Sequence, residues 1–128
     1  MANLFDLIGR IFISLIFLLS GYNKIFNYGN TVAWMEGFGV PEFLLGPAIA
    51  LEIIFPILII IGYQTQISAI LLAMFCIATA VIFHLDFADQ MQTIAFLKNL
   101  GLAGGFLFIA TNGPKEWAVE KKKKYVRL

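Results

Sequence analysis

The sequence predicts an all-α fold, an integral membrane four-helix bundle. Three observations carry that expectation. Of 128 residues, 60% are hydrophobic and only 13% are charged, where soluble domains carry about 25% charged residues. A chain this short cannot hide so much apolar surface from water, because small domains have a poor surface-to-volume ratio. The charges are also unevenly placed: none stands between Glu52 and Asp86, whereas residues 121–124 are an unbroken lysine run. A hydrocarbon phase around the apolar runs, with a basic tail outside it, accounts for both facts.

Four apolar segments approach the roughly 20 residues that a helix needs to cross the hydrocarbon. They run over residues 4–22, 43–62, 67–83 and 94–110. Backbone groups in lipid must be bonded within the segment, so helices are expected. A closed β-barrel is excluded by runs such as ILIII at residues 57–61, which lack the alternation of a barrel strand. No basic residue precedes Arg10 and no Ala-x-Ala-like site follows, so the first segment is expected to be an uncleaved helix rather than a signal peptide.

The links follow in order. The first is long and carries Tyr28, Trp34, Phe38 and Pro41; its residues 31–38 are expected to form a short helix at the interface, where amphipathic aromatics prefer to sit. The second is the tetrapeptide YQTQ at residues 63–66, a tight turn that makes spans two and three antiparallel neighbours. The third, over residues 84–93, is acidic through Asp86 and Asp89. Residues 1–113 thus read as one four-span domain, and residues 114–128 as a basic tail. The positive-inside rule places that tail in the cytoplasm, and an even number of spans returns the N-terminus to the same side. The expected location is the plasma (inner) membrane, multi-pass, with the lipid bilayer as surroundings.

Composition also narrows the chemistry. A net charge of +1, with the basic run confined to the tail, offers no groove-sized surface for nucleic acid, and none is expected as partner. One histidine and one cysteine exclude a metal-ligand cluster, and Cys76, without a second cysteine, reads as a small buried core residue. Glycine-rich phosphate loops and Gly-x-Ser-x-Gly elbows are absent, so the chain carries no catalytic motif of its own.

Charged groups within spans cost at least about 2.5–3.5 kcal/mol at mid-helix, and each therefore asks for a reason. Arg10, Glu52 and Lys98 lie within spans, with Lys24 and His84 at outer ends. At about 100° per residue, Arg10, Ser14, Phe17, Gly21 and Lys24 share one stripe of the first helix. On the second, Glu52 shares a stripe with Ala48 and Pro56, and the proline removes the backbone bond to the Glu52 carbonyl. His84 aligns with Ala80, Ala73 and Ala69 on the third. On the fourth, Lys98 aligns with Gly105 near Gly101, a small-xxx-small pattern suited to helix packing. Depth along the helices favours a Glu52–Lys98 ion pair, with Arg10 as competitor, while Lys24 and His84 roof the same cavity. Arg10, Glu52 and Lys98 are thus the expected intramembrane network. Lys24, Glu52, His84, Lys98 and Asn99 are the candidate ligand-binding residues, with Asn99 expected to bond a neighbouring helix. The competing account makes the network purely structural.

At these residues the sequence resembles the DoxX family of small four-helix membrane proteins. The resemblance rests on Arg10 with the following LLSGYNK ending at Lys24, on ALE with Glu52, and on Gly62 ending the helix. It continues through His84 closing the third span and FLKNLGLAGG at residues 96–105, and covers about residues 5–113. One departure is Phe55-Pro56, where the family often has small residues, and it bears on the cavity shape. The resemblance implies a link to redox physiology: the name-giving members are similar to a subunit of an archaeal quinone-reducing thiosulfate oxidoreductase, and others are associated with oxidative-stress defence at the membrane.

Three function classes stay open at this point. One is a quinone-linked redox component or accessory subunit of a membrane oxidoreductase, taking electrons from a partner protein. Quinone would then be the cofactor, held in an apolar slot by hydrogen-bonding side chains. The others are a small-molecule permease or exporter, and a non-catalytic membrane scaffold subunit.

Overall fold

A computed structural model describes residues 1–120 of the chain. All regular secondary structure among the described residues is helical, with no strand. Helix α1 spans Ala2–Phe26 and α2 spans Tyr28–Gly37; a 3-10 turn, Glu42–Leu44, then leads into α3, Leu45–Ile61. Helix α4 spans Thr65–Phe83 and α5 spans Gln90–Asn112. With the 3-10 turn included, α1, α3, α4 and α5 are all long and apolar enough to cross a membrane. The four-helix membrane bundle is therefore the fold, and α2 is the short extra helix of the first link.

Helices α1 and α5 run past their apolar segments, and at the start of α5 a polar cap sets the boundary. Asp89 caps α5: its Oδ1 accepts from the Met91 amide at 3.0 Å, so the helix begins at Gln90 rather than near residue 94. At the other end of α3, Gly62 adopts a left-handed conformation, φ 74°. Its amide donates to Ile59 O and the Tyr63 amide to Leu58 O, a Schellman-type termination that only glycine enters without strain.

Packing runs α1 on α3, α3 on α4, and α4 on α5. The core gathers Phe17, Ile59, Ala69, Leu72, Ala73, Cys76, Ala103, Phe106 and Ala110. Small residues let α4 and α5 approach closely, and the larger Phe17 and Phe106 meet edge-to-face at 5.4 Å between ring centroids. Large apolar side chains such as Phe12, Leu19, Ile54, Met74, Leu97 and Phe108 face outward on every spanning helix. In water that would be untenable; in hydrocarbon it is the expected solvent contact.

The near end of the bundle, where the N-terminus lies, is closed by the segment after α5. Arg10 is 1% exposed and stands at its centre. Its guanidinium donates to Asp6 Oδ2 at 3.0 Å, Ile59 O at 3.0 Å, Ile60 O at 2.7 Å and Trp117 O at 2.6 Å. Asp6 Oδ2 also accepts from the Lys115 amide, and Asn3 Oδ1 from the Glu116 amide. The Val119 and Glu120 amides donate to Ile61 O and Gly62 O, and Glu120 Oε1 accepts from the Thr65 amide at the start of α4. Carbonyls left over at the end of α3 and amides left over at the start of α4 thus find partners from distant chain. The lysine run at residues 121–124, and the topology read from it, lie outside the described residues.

Candidate functional site

The far end holds a cavity of about 470 Å³ between α1, α2, α3, α4 and α5. Its walls are mostly apolar, from residues such as Phe17, Leu51, Phe75 and Leu102. Ser20, Lys24, Thr31, Glu52, Thr79, His84 and Asn99 add polar groups. Helix α2 covers this end through stacked aromatics: Trp34 lies 4.4 Å from Phe83, centroid to centroid, and Phe38 packs on both rings. Trp34 itself lines the cavity.

Each polar group arrives there for a local reason. The first-helix stripe faces inward as the 100° spacing requires: Arg10, Ser14, Phe17 and Gly21 are buried and Lys24 ends the row at the cavity. Gly21 allows α3 to come close; a Cβ there would meet Ile53 Cγ1 at 2.8 Å and Glu52 Cβ at 3.4 Å. That approach lets Lys24 Nζ donate to Glu52 Oε1 in an ion pair, with a second bond to Ser20 Oγ at 3.1 Å. Glu52 is 2% exposed and its other oxygen, Oε2, is buried without a hydrogen-bond partner. Beside it, Pro56 sits inside α3 and has no amide to give the Glu52 carbonyl.

His84 ends α4 above Ala69, Ala73 and Ala80, all buried. Its Nδ1 lies 2.7 Å from Gln92 Oε1. That oxygen can only accept, so Nδ1 is the donor in this contact, and in a neutral ring Nε2 is then left as an acceptor. Asn99 Nδ2 donates to Thr79 Oγ1 at 3.4 Å, across to α4 as expected. Thr79 spends its own hydroxyl proton on Phe75 O at 2.9 Å, which fixes the amide group of Asn99 as the donor and leaves Asn99 Oδ1 free to accept.

Two sequence expectations are corrected here. Glu52 pairs with Lys24, not with Lys98, and Arg10 belongs to a separate cluster with Asp6. Lys98 is exposed and lines neither this cavity nor the smaller one beside it. The reason is the rotation of α5. Its inward stripe is Asn99, Ala103, Phe106 and Ala110, one residue and therefore about 100° away from the Lys98, Gly101, Gly105 stripe. Gly105 does approach α1, where a Cβ would meet Ile13 Cδ1 at 2.8 Å, but Gly101 has open space. Of the candidate ligand-binding residues, Lys24, Glu52, His84 and Asn99 share the cavity and Lys98 does not. Sequence reasoning missed Thr79 and Gln92, which no spacing rule ties to their partners. It also missed Asp6, whose i,i+4 relation to Arg10 is a legible helix pair.

A second cavity of about 340 Å³ adjoins the first along α1, lined by Leu19, Asn23 and Asn27 as well as the shared Ile16, Ser20, Lys24 and Thr31. Lys24 therefore forms part of the wall common to both. Among the described residues no histidine, cysteine and carboxylate cluster suits a metal ion.

Comparison with known proteins agrees with this architecture. The chain is 36% identical over 115 residues to the inner membrane protein YqjF of Escherichia coli K12, covering 90% of this chain and 88% of that one. It is 34% identical over 124 residues to the inner membrane protein YphA of the same organism, covering 91% and 88%. No solved structure matches. The DoxX family model matches residues 5–85, which takes in the Arg10 cluster, the Lys24–Glu52 pair and His84. With four apolar spans, two full-length relatives and that match, the chain is a membrane protein that belongs to the DoxX family.

Proposed function

We propose that this protein works in the bacterial-type inner membrane as a quinone-linked redox component, holding a small amphipathic ring in the far-end cavity while a partner protein supplies the electrons. The observation that carries this reading is the cavity itself, an apolar space of about 470 Å³ with the Lys24–Glu52 pair, its carboxylate buried, in the wall. Its size lies within the range of roughly 300–1,000 Å³ typical of small-molecule sites, and so does its mix of apolar lining and few polar groups. Intramembrane ionisable residues mark functional sites by default, because their insertion is otherwise costly. The donor set fits a quinone: Lys24 has a third N–H beyond those given to Ser20 and Glu52, and Asn99 a second. A quinone supplies two-electron chemistry when bound. The chain's own residues bind and orient the ring, exclude water through the apolar walls, and offer a proton acceptor at Glu52.

The location follows the relatives, both named as inner membrane proteins. Both termini face the cytoplasm in this reading, on the strength of the lysine run at residues 121–124.

Native mass spectrometry of gently purified protein tests the proposal. A co-purifying quinone, lost in Lys24→Met, together with a bound redox partner, is the expected outcome. Solute flux in liposomes without bound quinone would replace the reading with a permease, and neither result would leave a structural subunit.

A further inference from the structure

Counting hydrogen bonds around the cavity shows what an occupant must bring. The donors available to it include the third Lys24 N–H, the second Asn99 N–H, the Ser20 hydroxyl proton and the Trp34 indole N–H. The acceptors are Asn99 Oδ1 and, in a neutral ring whose Nδ1 donates to Gln92, His84 Nε2. To these the wall adds Glu52, whose Oε2 is buried and has no partner, in a side chain that is 2% exposed. An acceptor left unpaired in a dry interior is costly, and a carboxylate oxygen more so than a neutral one. The last side-chain torsion of a carboxylate is broad, so a partial turn can bring Oε2 of Glu52 toward a donor arriving in the cavity. Carbonyl oxygens cannot meet this need, since they only accept. A hydroxyl does both: its proton goes to Glu52 or His84, and its oxygen accepts from Lys24 or Asn99.

We infer that the cavity is built for an amphipathic molecule whose polar end is a ring hydroxyl; within the quinone class, which this inference takes from the proposed function above, it holds the reduced, hydroxyl-bearing form more tightly than the oxidised form. The orphan Glu52 oxygen carries the inference, and His84 Nε2 in the neutral ring adds a second acceptor to the same cavity. The apolar remainder of the wall takes the ring and its tail.

Trp34 in the wall provides the readout. The chain has two tryptophans, and Trp117→Phe leaves Trp34 alone while keeping the backbone carbonyl that Arg10 uses. In lipid nanodiscs under anaerobic conditions, a decyl-substituted benzoquinone is titrated against Trp34 fluorescence. Its hydroquinone and the corresponding dimethyl ether, which has the same shape but no proton to donate, then compete. The expected result is a hydroquinone affinity about tenfold above that of the quinone and the ether, the consequence of leaving a buried acceptor unmatched. Equal affinity of all three overturns the hydroxyl preference and leaves quinone binding standing. Absence of saturable binding by any of them overturns both. His84→Ala should narrow the preference, and Glu52→Gln, which replaces an acceptor by an N–H donor, should narrow it further. The two variants report independently, so a folding failure in one leaves the other decisive. An undiminished preference in the folded variants overturns the assignment of these acceptors.

Discussion

Lys24, in the last turn of α1, reaches back to Glu52 in the middle of α3, and the two form an ion pair between residues 28 apart in sequence. The lysine could have extended to water from its position. Instead it lies along the cavity wall, and its side chain is only 24% exposed. The attraction of a carboxylate in low dielectric outweighs the solvation available at the helix end.

That pairing is measurable. Lys24→Met and Glu52→Gln should each lower stability by about 2–3 kcal/mol, the low side of the cost of breaking a buried pair because Lys24 keeps some solvent contact. The double variant should lose less than the sum, by about 1 kcal/mol or more. Lys98→Met, on the exposed face of α5, should change stability by no more than about 0.5 kcal/mol. Strictly additive losses in detergent unfolding, or a large effect at Lys98, would refute the arrangement.

Arg10 should prove the least replaceable side chain at the near end. It donates to Asp6 and to three carbonyls, and a lysine has neither the fork nor the reach to satisfy them. Arg10→Lys is expected to cost about 3 kcal/mol through buried carbonyls left without donors. It should also open residues 114–120 to protease. Wild-type proteolysis rates there in Arg10→Lys would contradict the clasp.

Gly62 is required twice over, by its φ of 74° and by the approach of Ala118, whose Cβ would lie 2.3 Å from an added Cβ. Gly62→Ala should destabilise by about 1–3 kcal/mol. Gly37→Ala, at a glycine with open space around it, is the control and should be near neutral. Equal melting temperatures for the two variants would refute the requirement.

Topology is the fourth expectation. With cysteine substituted at Met91, which is exposed beside the α4–α5 link, and separately at Glu116, an impermeant maleimide should label Met91→Cys in intact cells. Glu116→Cys should react only after permeabilisation. Native Cys76 is buried and should stay silent. Labelling at position 116 from outside would invert the bundle.

The sequence alone determined the four spans, because hydrophobicity over some twenty residues is a property of the segment itself and owes nothing to its neighbours. It also determined which faces of α1, α3 and α4 turn inward. On those helices the buried residues Ser14 and Gly21, Glu52 and Pro56, or Ala69, Ala73 and Ala80 recur at helical spacing among larger apolar residues. Helix α5 carries small residues on two adjacent stripes, Gly101 with Gly105 and Ala103 with Ala110, so spacing alone could not choose between them. Its rotation, settled by Phe106 meeting Phe17 and by Ala103 and Ala110 in the core, placed Asn99 in the cavity and Lys98 outside it. The choice of Lys24 over Lys98 as the partner of Glu52 therefore belonged to the tertiary structure, as did the clasp that ties residues 115–120 to Arg10, Asp6 and Gly62. Helix identity is written locally, whereas the azimuth of a helix and the meeting of distant charges are fixed only when neighbouring surfaces pack.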